Sequence, residues 1–289
     1  MHELAIPKEM RAWSRAEHAR GRRIGLVPTM GFLHEGHLRL VDRAAERADR
    51  VVVSVFVNPL QFGPREDFAR YPRDLERDRR LARERGAHCL FVPDTTALYP
   101  EDPLIRLNPG PMADSLEGAA RPGHFAGVLT VVAKLFHIVE PDLAMFGRKD
   151  FQQAVLVRRM AADLDFAPEI EVAPTVRELD GLALSSRNAY LQGDDRRTAL
   201  ALSRTLRAVE QAWRGGEADP RALERRGLEL LRAPGVTPEY LALVDDRLRP
   251  VARADARTAV VVAARVGSTR LIDNVILGEG LAADPAVRG

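Results

Sequence analysis

The chain has 289 residues, which is enough for one large or two ordinary domains with buried cores. Its hydrophobic share of 46% and its charged share of 29% are typical of a soluble globular protein. The 43 basic and 41 acidic residues leave a net charge of +2, so no global charge attracts the chain to nucleic acid or to a membrane surface.

Cysteine content and the amino-terminal sequence bear on the cellular compartment. Cys89 is the single cysteine and lies in the apolar run 87–92, so a buried, unreactive thiol is expected and no intramolecular disulfide can form. The first residues are polar and lack the apolar core of a signal peptide, and no apolar run approaches membrane-spanning length. The sequence therefore predicts a protein of a reducing compartment, the cytoplasm.

The first part of the chain alternates strand-like apolar runs with helix-like patterns. Strands are predicted at 24–28, 51–57, 88–92 and 142–146, and helices at 36–48, 67–85, 127–139 and 150–163. This alternation predicts an α/β fold, a Rossmann-like parallel sheet with helices on both faces. No Gly-x-Gly-x-x-Gly follows the first strand, which argues against a dinucleotide site of the usual type. Ligands of such sheets bind beyond the carboxyl ends of the strands, where we expect His34, Asn58 and Gly147.

The pattern changes near residue 174. A short strand is predicted at 169–172, between two prolines. Helices are then predicted at about 194–214 and 219–232, and strand-like segments at 240–245, 258–266 and 269–274. Helices followed by strands indicate a smaller α+β domain, so we expect one domain at 1–174 and a second at 175–289.

Two histidines stand at the predicted turn between the first strand and its helix, in Pro28-Thr29-Met30-Gly31-Phe32-Leu33-His34-Glu35-Gly36-His37. A helix N-terminus has unpaired N–H groups and a dipole that attracts anions. Residues three apart share a helix face, so His34 and His37 can face one bound group, and the turn predicts a phosphate site. Zinc is a less favoured alternative, because zinc-binding helices space their histidines four apart around a Glu. A surface pair at a helix cap without chemistry is the other alternative, and the segment by itself favours it.

Amide side chains follow the strand predicted at 51–57. Asn58 and Gln61 would place neutral donors and acceptors at the carboxyl end of a buried strand, which suits hydroxyl and carboxylate groups. The alternative is a Pro-containing loop whose amides only cap backbone groups, and the segment by itself favours that alternative. His124, before the apolar stretch 126–139, could likewise contact a substrate or cap a helix.

A lysine follows the strand predicted at 142–146, in Gly147-Arg148-Lys149-Asp150. Lys149 is predicted in the first turn of the next helix, where a cation opposes the helix dipole and needs a reason to be present. Binding of phosphoryl oxygens would supply that reason, and an ordinary solvated lysine is the alternative. Asp150 is expected to cap the helix, and Gln152 or Gln153 to face the cleft.

A compact polar set, Ser185-Ser186-Arg187, lies just past the predicted domain boundary. Two hydroxyls and a guanidinium can bind an anion. A mobile loop between domains could carry them onto a bound triphosphate, whereas a simple loop leading into a helix is the alternative.

Taken together, these segments resemble the pantoate–β-alanine ligase family, within the nucleotidyltransferases that carry His-x-Gly-His. The similar segments, in the family's order, are residues 28–37, 56–62, 121–128, 147–153, 185–191 and the tail segment 267–274. His-x-Gly-His alone would also fit many adenylyl- and cytidylyltransferases, whereas the full set is specific to this family.

The resemblance implies a Rossmann-like ATP-binding domain, a smaller C-terminal lid domain and a homodimer. It implies Mg²⁺-dependent activation of (R)-pantoate by ATP to pantoyl adenylate, with release of pyrophosphate. The amine of β-alanine then attacks the acyl carbon, which gives pantothenate and AMP. The partners would be these small molecules, with no nucleic acid and no membrane.

The resemblance also implies roles for single residues. His37 would be the catalytic proton donor, with His34 and Lys149 as further catalytic groups, and Gln61, Gln153 and Asn58 would bind substrate. The residues that hold Mg²⁺ are not identified. The ATP site would comprise Met30, Gly31, Phe32, Leu33, His34, Glu35, Gly36, His37, Gly147, Arg148, Lys149, Asp150, Val176, Leu184, Ser185, Ser186 and Arg187.

Two positions depart from the family pattern. Residue 148 is Arg where the family often has an acidic side chain, and residue 184 is Leu where Met is common. Because the backbone and Lys149 are expected to matter most in these segments, the departures change the implied roles little.

Two other functions stay open. A nucleotidyltransferase of the same superfamily with a phosphorylated acceptor would need extra cations near Gln61, where the sequence has amides instead. A nucleotide-binding regulator without catalysis would not require both histidines and Lys149 together.

Overall fold

A computed structural model describes residues 1–64 and 66–281 of the chain. These residues form two compact units. Unit 1 consists of residues 1–147 and 156–173, and unit 2 consists of residues 148–155 and the described residues from 174 onward.

Unit 1 contains a six-stranded sheet in which every pairing is parallel. Its strands are β1 His2–Leu4, β2 Ile24–Thr29, β3 Arg50–Val55, β4 Cys89–Phe91, β5 Leu143–Gly147 and β6 Glu169–Ala173. The order across the sheet is β1-β4-β3-β2-β5-β6, so the chain runs outward from β2 through β3 and then returns to β5 on the other side of β2. A parallel sheet of this kind binds ligands at such a reversal, beyond the carboxyl ends of the strands. The predicted α/β fold is confirmed.

The helices of unit 1 connect these strands. They are α1 Pro7–His18, α2 Glu35–Arg47, α3 Leu75–Glu84, α4 Thr95–Leu98, α5 Glu117–Ala120 and α6 His124–Val139; α7, Phe151–Asp163, begins with residues of unit 2 and ends with residues of unit 1. Short 3₁₀ helices cover Pro59–Gln61, Phe68–Arg70 and Gly110–Ala113. In residues 1–64 and 66–281, no helix combines the length and the apolar character needed to cross a membrane.

The core of unit 1 explains why its central strands read as continuous apolar runs. Val27, Val53 and Met145 are fully buried, and Val41 of α2 packs against the same cluster. Strands buried on both faces have no polar side to alternate with. Cys89 is also fully buried, as predicted, and burial raises the pKa of its thiol to about 12, so almost no reactive thiolate is present at neutral pH.

The helix predicted at 67–85 is wrong in its first half. Phe68–Arg70 is a 3₁₀ helix, and α3 begins only at Leu75. Pro72 explains the break, because a proline disfavours helical backbone in the residue before it. Asp74 then caps α3, since its carboxylate accepts the N–H of Arg77 at 3.1 Å.

Unit 2 is the α+β part of the molecule. Its helices are α8 Asp194–Thr198, α9 Leu200–Arg214 and α10 Pro220–Leu231, and its strands are β7 Val236–Val244, β8 Ala259–Val266 and β9 Thr269–Ile276. The strands form an antiparallel sheet in the order β7-β8-β9. Leu206 and Val209 of α9, Leu223 of α10 and Val260 of β8 are buried in one cluster. The helix predicted at 194–214 is divided into two helices at Ala199, which itself keeps helical backbone angles.

Candidate active site

The turn between β2 and α2 passes through two residues with positive φ. Gly31 has a φ of 83° and Phe32 a φ of 50°. A Cβ on Gly31 would lie 2.9 Å from Val55 Cγ1 and 3.0 Å from Asp78 Oδ2. This position therefore needs glycine for its φ and also for the space. Thr29 stabilises the turn, since its hydroxyl accepts the N–H of Gly31 at 3.1 Å.

Two residues of α3 bind the backbone of this turn. The carboxylate of Asp78, only 1% exposed, accepts the N–H groups of Phe32 at 2.8 Å and Leu33 at 2.7 Å. Burial raises the pKa of Asp78, against the lowering effect of these two N–H groups. Arg77 donates to the carbonyl of Leu33 at 2.7 Å, and its guanidinium carbon lies 5.3 Å from the centroid of the Phe32 ring. Neighbouring side chains thus fix both N–H and C=O groups of the turn.

The two histidines meet at the start of α2. His34 is the N-cap of the helix, and His37 is its third residue. The backbone N–H of His34 donates to Nδ1 of His37 at 3.3 Å, and the rings stack with centroids 4.0 Å apart at 30°. Because Nδ1 accepts this hydrogen bond, a neutral His37 carries its proton on Nε2. The site thereby presents a ring N–H donor at the N-terminus of a 13-residue helix.

The amide of Gln61 lies beside this turn. Its Nε2 donates to Met30 Sδ at 3.1 Å, and its Oε1 accepts from Asn58 Nδ2 at 3.2 Å. Asn58 is 1% exposed, and its Nδ2 also donates to the carbonyl of Gly127 at 3.1 Å, while its Oδ1 accepts the hydroxyl of Tyr99 at 3.1 Å. The Asn58 amide is therefore turned into the protein, where it fixes Gln61.

The backbone of Gln61 is fixed by a second group of side chains. His124, the first residue of α6, places Nδ1 2.8 Å from the Gln61 carbonyl and Nε2 3.0 Å from Arg121 Nη1. A carbonyl only accepts and a guanidinium only donates, so His124 is neutral with its proton on Nδ1. Burial, together with the charge of Arg121, lowers the pKa of His124 to about 4. Arg121 in turn pairs with Glu66 at 2.6 Å. The His124 ring thus bridges the backbone carbonyl of Gln61 and the side-chain guanidinium of Arg121.

Lys149 lies in the turn that precedes α7. The helix begins at Phe151, and the carbonyl of Asp150 accepts its first helical hydrogen bond, from Ala154 at 2.9 Å. The prediction that Lys149 lies in the first turn is therefore wrong, and Lys149 is outside the hydrogen-bonded helix. Its Nζ lies 3.8 Å from Asp150 Oδ1. Arg148, which departs from the family pattern, pairs with Glu279 of the same unit.

The remaining predicted ATP residues of unit 2 lie on a small hairpin and on the 3₁₀ helix that follows it. Leu184 donates its N–H to the carbonyl of Val176 at 3.0 Å, so these two residues are neighbours. The hydroxyl of Ser185 accepts the N–H of Arg187 at 3.2 Å and caps a 3₁₀ helix, Ser186–Tyr190. On α7, Gln152 is buried and Gln153 is half-buried.

The predicted site residues thus fall into two sets, each described within its own unit. Unit 1 brings the residues of the β2–α2 turn together with Gln61 and Asn58, and unit 2 holds the turn with Lys149 and the hairpin with Val176. The sequence did not predict that Asp78 and Arg77 contact the turn, because both residues look like ordinary charged positions of an amphipathic helix. In residues 1–64 and 66–281, no group of three or more His, Cys, Asp or Glu side chains could hold a metal ion.

Comparison with known proteins gives consistent matches over the whole chain. The family model described as pantoate-beta-alanine ligase matches residues 3–276. A pantothenate synthetase from Pelotomaculum thermopropionicum is 50% identical over 273 residues, which cover 94% of this chain and 97% of that protein. The crystal structure of pantothenate synthetase from Thermus thermophilus has a TM-score of 0.91 at 48% identity, covering 96% of this chain and 99% of its own.

One further solved structure carries ligands. It is a pantoate-beta-alanine ligase from Francisella tularensis complexed with beta-gamma ATP and beta-alanine. Its TM-score is 0.82 at 32% identity, and the match covers 98% of this chain and 100% of that chain.

Proposed function

The chain belongs to the pantoate–β-alanine ligase family, and we propose that its residues carry out the ligation through a pantoyl adenylate, with the turns at 28–37 and 147–151 both acting on ATP. The reaction is the ATP-dependent ligation of pantoate to β-alanine. The observation that carries the proposal is the hydrogen bond from the His34 N–H to Nδ1 of His37, which makes Nε2 the N–H donor of a neutral His37 ring at the N-terminus of α2.

In the first step, a carboxylate oxygen of pantoate attacks the α-phosphorus of ATP, and the bond from that phosphorus to the bridging oxygen breaks. Negative charge develops on the phosphoryl oxygens and on the departing pyrophosphate. Donors aimed at developing charge are among the largest contributions to enzymatic rates. We assign this role to the Nε2–H of His37, with His34 stacked on its ring, and to the ammonium of Lys149.

In the second step, the amine of β-alanine attacks the acyl carbon of the adenylate. The carbon–oxygen bond to the phosphate breaks, the amine loses a proton, and pantothenate and AMP result. Gln61 suits the acceptor side, because its amide is held between Met30 and Asn58 and still has a second N–H hydrogen and a second oxygen lone pair for a substrate. Asn58 acts on substrate through Gln61, since its own amide is buried, and Gln153 is assigned to pantoate.

Mg²⁺ is proposed to arrive as part of the substrate, bound to the phosphates of ATP. Mg²⁺ usually binds through one or two carboxylates together with substrate phosphates, rather than in an all-protein cage. The described residues fit this mode, because Asp150 lies beside Lys149 with its side chain 48% exposed and offers one carboxylate.

A homodimer in the cytoplasm is also proposed, as the family resemblance implies. Leu104 and Ile105 are adjacent apolar side chains of unit 1 that are 98% and 89% exposed. Large apolar side chains exposed to this extent on successive residues support an interaction surface in this segment. Sedimentation of the purified chain should give twice the mass of one chain, and a single-chain mass at micromolar concentration would contradict the dimer.

The proposed function is tested by supplying ATP, pantoate and β-alanine together and following AMP and pantothenate. With pantoate labelled by ¹⁸O in its carboxylate, one labelled oxygen should appear in AMP, because the attacking oxygen stays on phosphorus when the acyl bond breaks. AMP formed without pantoate, or AMP without label, would contradict the adenylate route. Absence of turnover would favour a nucleotide-binding regulator.

A further inference from the structure

We propose that Asn274, in the last strand β9, is a positioning residue for Lys149. The proposal rests on the role given to Lys149 above. Asn274 is 3% exposed, so it acts through the backbone of the turn and does not itself touch a substrate. Its segment, 267–274, belongs to the tail that resembles the family, yet the reaction scheme gives it no role.

One amide group binds two successive carbonyls of the turn. Nδ2 of Asn274 lies 2.9 Å from the carbonyl oxygen of Arg148 and 3.0 Å from that of Lys149. Carbonyl oxygens only accept hydrogen bonds, so the group that faces them is the NH₂ of the side chain. Both of its hydrogens are used, and both peptide groups on the carboxyl side of Arg148 and Lys149 are fixed.

These two contacts also set the direction of the N–H groups in the turn. In a trans peptide the N–H points opposite to the C=O. Because the carbonyls of Arg148 and Lys149 face Asn274, the N–H groups of Lys149 and Asp150 face away from it. The two peptide groups that Asn274 fixes flank Lys149, so Asn274 sets the position and direction from which the Lys149 side chain leaves the backbone.

A buried ion pair holds Asn274 itself. Arg177 and Asp273 are each 3% exposed in their side chains and pair through two contacts of 2.6 and 2.7 Å. Arg177 also donates to the carbonyl of Asn274 at 3.2 Å, and Asp273 accepts the N–H of Asn274 at 2.7 Å. Both backbone groups of Asn274 are thus hydrogen-bonded to a pair of charges that neutralise each other.

The other end of the amide shows which part of the side chain matters. Among the described residues, Oδ1 of Asn274 is buried without a hydrogen-bond partner. A buried acceptor without a partner destabilises the fold, so this oxygen does not account for an asparagine at this position. The NH₂ group and its two carbonyl contacts do account for it.

The test is a double-mutant cycle with Lys149. Asn274→Ala removes the amide, and Asn274→Leu removes it while keeping a side chain of similar volume, so that packing and hydrogen bonding can be separated. The rate of adenylate formation from ATP and pantoate is measured for each variant in the wild-type and in the Lys149→Ala background, with the melting temperature alongside. Thr258→Ala is the matched control, because Thr258 is also buried, directly before β8, and among the described residues its side chain hydrogen-bonds to Asp255 only.

We expect both Asn274 variants to lower the rate of adenylate formation by roughly 10-fold or more with Lys149 present, because small displacements of a reacting group are that costly. With Lys149→Ala they should change this rate by less than about 2-fold, since coupled residues are not additive. Thr258→Ala should lower the melting temperature and leave the rate of adenylate formation unchanged. A wild-type rate in the Asn274 variants, or an equal loss in both backgrounds, would overturn the positioning role alone. A normal rate in Lys149→Ala would overturn the role of Lys149 as well.

Discussion

The two turns that carry the histidines and Lys149 are stabilised in opposite ways. The β2–α2 turn contains two residues of positive φ, and the buried carboxylate of Asp78 accepts two of its N–H groups. The turn before α7 contains no residue of positive φ, and a neutral amide, Asn274, donates to two of its carbonyls. The geometry of the first turn therefore depends on unusual conformations of its own backbone. The geometry of the second depends on one side chain that is distant in sequence.

Two glycine-to-alanine substitutions, one near each turn, should show the largest difference between the turns. Gly31→Ala introduces a Cβ at positive φ against Val55 and Asp78, so it should lower the free energy of unfolding by about 1–3 kcal/mol and slow adenylate formation as the turn moves. At Gly147 a Cβ would meet nothing within 4 Å. Gly147→Ala should therefore change the free energy of unfolding by about 0.5 kcal/mol or less.

Urea denaturation of both variants at neutral pH checks this prediction. Equal losses at the two positions would show that backbone strain does not distinguish the turns. A stable Gly31→Ala variant with normal activity would show that the β2–α2 turn tolerates another geometry.

A pH-dependent effect of similar size is expected around Gln61. The folded protein lowers the pKa of His124 from its ordinary 6.5 to about 4, so the neutral ring stabilises the fold above pH 6.5, and this stability is lost as the pH falls toward 4. The loss from this one residue should reach up to about 3 kcal/mol. The Asn274 amide in unit 2 has no proton to gain and adds no such dependence.

His124→Asn tests this assignment, because the asparagine amide keeps a donor near the Gln61 carbonyl but does not titrate. The variant should be less stable than wild type at pH 7, and the difference should shrink as the pH falls from 6.5 to 4. A difference that stays constant over this range would contradict a neutral His124 in the fold.

Local patterns in the sequence predicted much of this fold. The apolar runs of β2, β3 and β5 are largely buried, so the sequence alone indicated the positions of these strands. The residues that follow β2 and β3 also contact each other as expected, through Gln61 and Met30. By contrast, β1 is three residues long and largely exposed, and α1 has few apolar side chains, so neither leaves a clear pattern. The long helix predicted at 67–85 failed at Pro72, where a local signal was present but was outweighed by the helical pattern.

Parts of the site that depend on distant contacts could not be predicted in this way. Asp78 is 46 residues from Phe32, whose N–H it accepts, and Asn274 is 125 residues from Lys149. Nothing in the sequence near either residue indicates its partner. Asn274 did leave one weak signal, because asparagine is scarce in this chain and here it lies within a strand, where asparagine is disfavoured.

The central claim is that both turns act in the adenylation step. Its most direct test measures single-turnover formation of pantoyl adenylate from ATP and pantoate, without β-alanine, in His37→Ala and Lys149→Ala. Each variant should be slower by roughly 10²–10³, the usual effect of removing one donor to developing charge, while its melting temperature stays close to that of the wild type. Adenylate formed at nearly the wild-type rate by either variant would contradict the account of that turn.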